Sequence, residues 1–289
     1  MAQWQVETQA LDPRISSHYE VMMLSTNNAQ QVSNTNPLPV NTHTDNLHSA
    51  EWNLQLARGK VEGARQINIF GYSSAVDGTY IPLWEANTAL SFPTNAINMN
   101  VASTSSLDNS NSKVTISGLD SNWDPIIEVV TLNGTANVTT SNAFIRINSV
   151  AMTNPGTGQS TNIGTISVRN GTGTAHALIL PGVGRMQNSW YSVPRGYGFY
   201  VRNINAYTGE TKSGATPTWF YYRVVTTNNV TGMTSTLLTT SFQNEYKVLR
   251  TNPVKYSEFT DVQWQFLSSE GVHSMGLILE GVIIRDDAA

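Results

Sequence analysis

From Trp52 to Arg285 the chain is a succession of short segments in which apolar and polar residues alternate, separated by Gly, Asn, Thr, Ser or Pro. Phe144-Ile145-Arg146-Ile147-Asn148-Ser149-Val150 and Val262-Gln263-Trp264-Gln265-Phe266-Leu267 show the pattern most plainly. A period of two sends successive side chains to opposite faces of a sheet, so these segments are strands with one face in a core. No stretch carries a sustained period of 3.6, and few helices are expected.

Individual strands follow from the same rule. Trp52, Leu54 and Leu56 alternate with polar neighbours and read as a first strand that Arg58-Gly59-Lys60 ends. Gln66–Gly71 and Ile97–Val101 are further strands, with Pro82 and Pro93 at sheet edges, where the missing N–H does no harm. Lys113–Asp120 and Ile126–Leu132 flank the turn cluster Ser121-Asn122-Trp123-Asp124-Pro125 and form a β-hairpin. The remaining candidates are Phe144–Met152, Gly164–Val168, Ala175–Leu180, Ser189–Val193, Gly198–Ala206, Trp219–Thr226, Ser235–Thr240, Phe259–Leu267 and Met275–Ile284. Such spacing predicts an all-β protein of antiparallel β-sandwich or jelly-roll-like units. Residues 1–50 lack periodicity and are polar around Asn27–Pro37, the mark of a flexible N-terminal arm. The expected division is an arm (1–50), a first β unit (51–140) and a second β-sandwich unit (141–289).

Composition narrows the function. Only 12% of residues are charged, about half the usual share, while Thr, Ser and Asn supply much of the polarity. A surface of this kind packs against neighbouring chains or glycans with little charge to desolvate. The net charge of −4 speaks against a broad nucleic-acid surface, which needs clustered Lys and Arg. With no cysteine there is neither a disulfide framework nor a zinc–thiolate site. The first residues, Met1-Ala2-Gln3-Trp4-Gln5-Val6-Glu7, do not read as a signal peptide, and no apolar run approaches a membrane span, so a soluble chain made in a cytosol is expected. The Asn-x-Thr triplets at Asn133, Asn137, Asn170 and Asn229 are then incidental to a Thr- and Asn-rich chain.

Catalytic constellations are hard to assemble. His43-Thr44-Asp45-Asn46-Leu47-His48 gathers ligand types, but a solvated loop accounts for it. His176 lies in a strand and reads as a structural histidine. Gly-x-Ser-x-Gly does not occur, and Gly182-Val183-Gly184 and Gly171-Thr172-Gly173 are incomplete as phosphate cradles. Asp120, Asp124 and Glu128 cluster beside a tight turn, where carboxylates usually bond the backbone. No catalytic, cofactor-binding or metal-binding residue is assigned, no cofactor is expected, and the chain reads as a non-enzyme.

The aromatics are more informative. Consecutive aromatics such as Trp219-Phe220-Tyr221-Tyr222 face both sides of a strand and cannot all enter one core. The second face meets another protein layer, a neighbouring subunit or a ligand. Trp190, Tyr191, Trp219, Tyr221 and Tyr222 are the candidate interface residues, since Tyr and Trp are enriched between subunits.

Taken in order, Arg58-Gly59-Lys60-Val61-Glu62-Gly63-Ala64, Ile69-Phe70-Gly71, Trp84, Phe92-Pro93, Val114–Asp120, Glu128–Gly134, Phe144–Asn148, Gly164–Val168, Tyr191–Tyr197 and Glu280–Ile284 resemble a group of virion structural proteins of tailed bacteriophages, common in marine and cyanobacterial phages. The resemblance spans Leu54 to Ile284 and rests on the order of the segments. It implies a virion component present in many copies, with no catalytic motif to transfer. The expected partners are the chain itself, as a homo-oligomer with a trimer among the options, and a capsid, neck or tail protein; a host glycan is a further option. A head-surface decoration or fibre protein is the leading expectation. A neck or tail component and a glycan-binding adhesin are the alternatives.

Overall fold

The computed structural model describes residues 49–171, 173–208 and 218–286. The expected arm and the His43–His48 cluster lie outside the described residues, apart from the two last positions of the arm. From Asn53 onward the chain forms one compact unit.

The first element corrects an expectation. Residues Ser49–Ala57 are a helix, α1, not a strand. Ala, Glu, Leu and Gln are strong helix formers, and a spacing of two residues places side chains on different faces of a helix. Leu56 is accordingly buried while Leu54 is exposed. The expected break at Arg58-Gly59-Lys60 is a helix stop: Lys60 N–H donates to the Gln55 carbonyl at 2.8 Å and Gly59 N–H to that of Leu56 at 3.0 Å, with Gly59 at φ 67°. These are the paired bonds of a Schellman cap, which glycine accommodates without a Cβ clash.

Among the described residues sixteen strands follow: β1 (Ala64–Val76), β2 (Ile81–Pro82), β3 (Ile97–Ser103), β4 (Ser112–Leu119), β5 (Pro125–Thr131), β6 (Val138–Phe144), β7 (Arg146–Pro155) and β8 (Ile166–Arg169) in the first part. The second part holds β9 (Ala175–Ile179), β10 (Trp190–Ser192), β11 (Tyr197–Thr208), β12 (Phe220–Asn228), β13 (Thr234–Phe242), β14 (Glu245–Tyr256), β15 (Thr260–Ser268) and β16 (His273–Arg285). Every strand pairing is antiparallel, as the alternation predicts. The hairpin around Ser121–Pro125 is present, with Lys113 opposite Thr131 and Leu119 opposite Pro125.

The sheets pack as two sandwiches. In the first, a sheet ordered β1-β16-β11-β14 faces one ordered β10-β15-β12-β13, with β2 added to β15. Their inner faces enclose Phe199, Val201, Phe220, Tyr222, Trp264, Phe266, Leu277 and Leu279. In the second, β6-β3-β8-β9 and β5-β4-β7 enclose Met99, Val101, Val114, Ile116, Phe144, Val150, Ile166 and Val168. Burying such side chains is worth about 1.5–3 kcal/mol each, which is what keeps the sheets together.

This division differs from the expected 51–140 and 141–289. Residue 140 falls inside β6, and the second sandwich is built from β3–β9, inserted between β2 and β10 of the first. Strand order alone could not show that β1 waits for β16 as its neighbour.

Candidate functional site

The junction of the two sandwiches holds a buried ionic cluster that the sequence reading did not find. Arg146, at the start of β7, sends its Nε to both carboxylate oxygens of Asp261 on β15, at 2.8 and 3.0 Å. One terminal nitrogen donates to Asp261 at 2.8 Å and to Asn229 at 2.8 Å; the other donates to the Pro93 and Ile145 carbonyls at 2.9 and 2.8 Å. All five guanidinium N–H groups therefore have acceptors. Asp261 also receives the Ser192 hydroxyl at 2.5 Å and the Asn229 amide at 2.9 Å. Phe92 and Trp123 cover the guanidinium, with its carbon 4.5 and 4.9 Å from the ring centres. Trp123 and Phe259 meet edge to face at 5.8 Å, and both hold a positive φ, at 65° and 58°. A bulky residue in that region is strained, so the surrounding packing must hold it there. Gly118 makes room: a Cβ there would lie 2.2 Å from the Arg146 carbonyl oxygen. With both charged side chains buried and saturated, the cluster joins the sandwiches and offers nothing to a substrate.

The clustered carboxylates are structural. Asp120 accepts the backbone N–H groups of Asn122 and Asp124 at 2.8 and 3.0 Å. Asp124 pairs with Arg195 at 2.7 Å, and Glu128 accepts the Ser141 and Asn142 amides at 2.7 and 2.8 Å. His176 is buried with Nδ1 3.0 Å from the Ser91 carbonyl oxygen, and burial lowers its pKa from the usual imidazole value. Among the described residues no group of three or more metal-ligating side chains occurs, and no helix is long and apolar enough to cross a membrane.

One acid stands apart. Glu85 is 9% exposed, and neither carboxylate oxygen has a hydrogen-bond partner. It follows Trp84, whose ring meets Trp190 edge to face at 5.6 Å. Burial pushes its pKa from 4.5 to about 8, while the nearby Glu85 and Gln187 backbone amides favour the anion but fall short of hydrogen-bond geometry.

The five candidate interface aromatics separate by face. Trp190, Tyr191 and Tyr222 are buried inside the chain at 1%, 5% and 0% exposure. That corrects their assignment to an interface: Tyr191 and Tyr222 are enclosed between the two sheets of the first sandwich, and Trp190 lies in the core of the second. Tyr222 stacks with Tyr246 and Phe266 at centroid distances of 5.1 and 5.2 Å, and burial raises its phenol pKa well above the usual value. Trp219 is exposed and Tyr221 half-buried, as the alternation along β12 requires.

Around Tyr221, register assembles an outer face. Leu267 and Ser241 lie opposite Tyr221, Gln265 and Thr239 opposite Arg223, and Gln263 and Thr236 opposite Val225. Arg223 donates to Gln265 at 2.9 Å and lies 4.0 Å from the centre of the Tyr80 ring. The face thus combines exposed or half-exposed aromatic and aliphatic groups with amides and hydroxyls, and carries one charge. Its margin is β13, an edge strand with Leu237 exposed at the bulge opposite Val224 and Val225. Such a face can bury area against a flat partner with little desolvation of charge.

Comparison with known proteins adds little. No family model matches the chain, and no curated protein matches it. A structure of infectious bursal disease virus, Gx strain, aligns over 76% of this chain and 70% of its own at 9% identity with a TM-score of 0.21. A correspondence that loose assigns neither fold nor role.

Proposed function

We propose that this chain is a non-enzymatic structural component of a virus particle, of the tailed-phage type that its ordered segments resemble, and that it acts by assembly. The observation that carries the reading is the outer face of β15, β12 and β13, where Trp219, Tyr221 and Leu267 stand among amides and hydroxyls beside an edge strand. An edge of this length with apolar groups exposed is a liability for a solitary chain and an asset for one covered by neighbours. Within the class, a head-surface decoration or fibre protein is the preferred place, with a neck or tail position as the alternative. Other copies of the chain and a capsid, neck or tail protein are the partners.

Sedimentation of the purified chain tests the assembly step. A species larger than the 31.6 kDa chain is expected, reduced by Trp219→Ala combined with Tyr221→Ala at unchanged melting temperature. A monomer at all concentrations in the parent protein, or an unaltered mass in the double variant, would refute use of this face between copies. The same two aromatics could serve as a sugar-stacking platform. Glycan-array binding that disappears in the double variant, with no change in mass, would select the adhesin reading.

A further inference from the structure

The first sandwich leaves one strand edge open beside the second. Strand β1 pairs with β16 on one side, in continuous register from Ala64 opposite Ile284 to Ser73 opposite Met275. Two bonds fix which backbone groups point the other way. Arg285 N–H donates to the Gly63 carbonyl, which makes Ala64–Ile284 a non-hydrogen-bonded pair, and the Phe70 carbonyl accepts from Asn188 N–H on the side away from β16. In an antiparallel ladder such pairs alternate, so Gln66 and Asn68 also direct their N–H and C=O outward. Neither has a backbone partner among the described residues. Two open rungs therefore stand about 7 Å apart along the edge.

Those rungs border a groove of about 240 Å³ between β1 and the sheet holding β4 and β5. The volume lies below the range of about 300–1,000 Å³ usual for an enclosed small-molecule site, and the groove follows a strand. Two cations line it. Arg65 is exposed and lies beside the buried Tyr191 hydroxyl; Arg185 is exposed and stacks over Phe70, with its guanidinium carbon 4.9 Å from the ring centre. Neither is paired with a carboxylate among the described residues. The facing wall mixes Leu119, Pro125 and Ile127 with Ser117, Asn148 and Ser149, and Ile127 is exposed at 61%.

We infer that this groove captures an extended acidic segment of a partner protein by strand addition. The open rungs of Gln66 and Asn68 pair with its backbone, Arg185 takes the carboxylates that fall on the Phe70 face of β1, and Ile127 packs against an apolar side chain. Backbone pairing supplies affinity and the flanking pockets supply selection. Two unpaired guanidiniums on a chain of net charge −4 set the sign of the partner's charge. This goes beyond the assembly proposal and uses a different surface, so either can fail without the other.

The test uses the full chain, labelled with nitrogen-15, and a blocked hexapeptide of alternating valine and glutamate. Saturable shifts are expected at the Gln66 and Asn68 amides. A valine–glutamine counterpart should bind about five- to tenfold more weakly, the range for a part-exposed charge-assisted contact. Arg185→Gln, at an exposed position that leaves the fold intact, should remove most of that preference. Asn68→Pro should abolish binding while leaving the β16 ladder, because the lost N–H points outward; Arg185→Gln stands alone if that chain does not fold. Unmoved Gln66 and Asn68 amides, equal affinity for the two peptides, or the same shifts produced by glutarate at equal concentration would overturn the inference. So would concentration-dependent shifts of these amides without peptide, which would mean that a second copy fills the groove.

Discussion

Glu85 makes the stability of this protein depend on pH in a way that one substitution should remove. The carboxyl titrates at about 8 in the folded chain and at 4.5 when ordinarily solvated, because burial disfavours its anion. The folded state therefore binds a proton that the unfolded state releases between those values, and stability is lost as pH rises through that window. It is fully present below about pH 4.5 and gone above about pH 8. The largest loss consistent with that interval is about 5 kcal/mol, at 1.36 kcal/mol per pH unit. Water admitted around the charged group reduces it, so about 2–5 kcal/mol is the working range. Glu85→Gln keeps the shape and cannot ionise. Chemical unfolding of parent and variant at pH 5 and pH 8.5 should give close midpoints at the lower pH, and a variant more stable by that amount at the higher. Parallel pH profiles for the two proteins would show that the carboxylate finds solvent or a partner when charged, and the reasoning would fail.

Two other outcomes follow from buried groups. Asp261→Asn leaves the Arg146 guanidinium buried with its counter-charge removed, and should cost about 3–5 kcal/mol in urea unfolding; a loss under 1 kcal/mol would mean that the cluster is not shared by the two sandwiches. Tyr222→Phe should be neutral or stabilising by up to about 1 kcal/mol, since the hydroxyl is buried without a hydrogen-bond partner, whereas Tyr222→Ala should cost about 3–5 kcal/mol through the cavity it leaves. Thermal melts of both variants check this, and a Phe variant as damaged as the Ala variant would contradict it.

Strand identity was legible wherever one face alone is buried. Val262–Leu267 and Val114–Leu119 read directly, because Val262, Trp264 and Phe266, like Val114 and Ile116, point at a core while the polar residues between them do not. Strand β14 escaped because Pro253 interrupts it and its exposed face carries Lys247, Lys255 and Glu245; the proline sits at an edge, where it breaks no ladder. Strand β6 is mostly Thr, Ser and Asn, so its alternation has no apolar member between Val138 and Ala143. Helix α1 misled because Trp52, Leu54 and Leu56 mimic a period of two over too few residues to expose the true one. The aromatics of β12 were seen to face two ways, but the sequence did not say which way each faced. Arg146 and Asp261 are 115 positions apart and carry no local signal, so their pairing emerges only from the fold.

Because β16 lies between β1 and β11, the four-stranded sheet of the first sandwich cannot close until β16 has joined it. The inserted strands β3–β9 can collapse early, since all their partners are at hand. Strand β1 meanwhile is held in reserve with its apolar side uncovered, a contact of long sequence separation that slows folding and invites capture by sticky neighbours. Strand β16 then acts as a timer for this sheet. The outer faces of the first sandwich are finished only once β16 has slotted home, so this one strand sets the moment at which the fold matures.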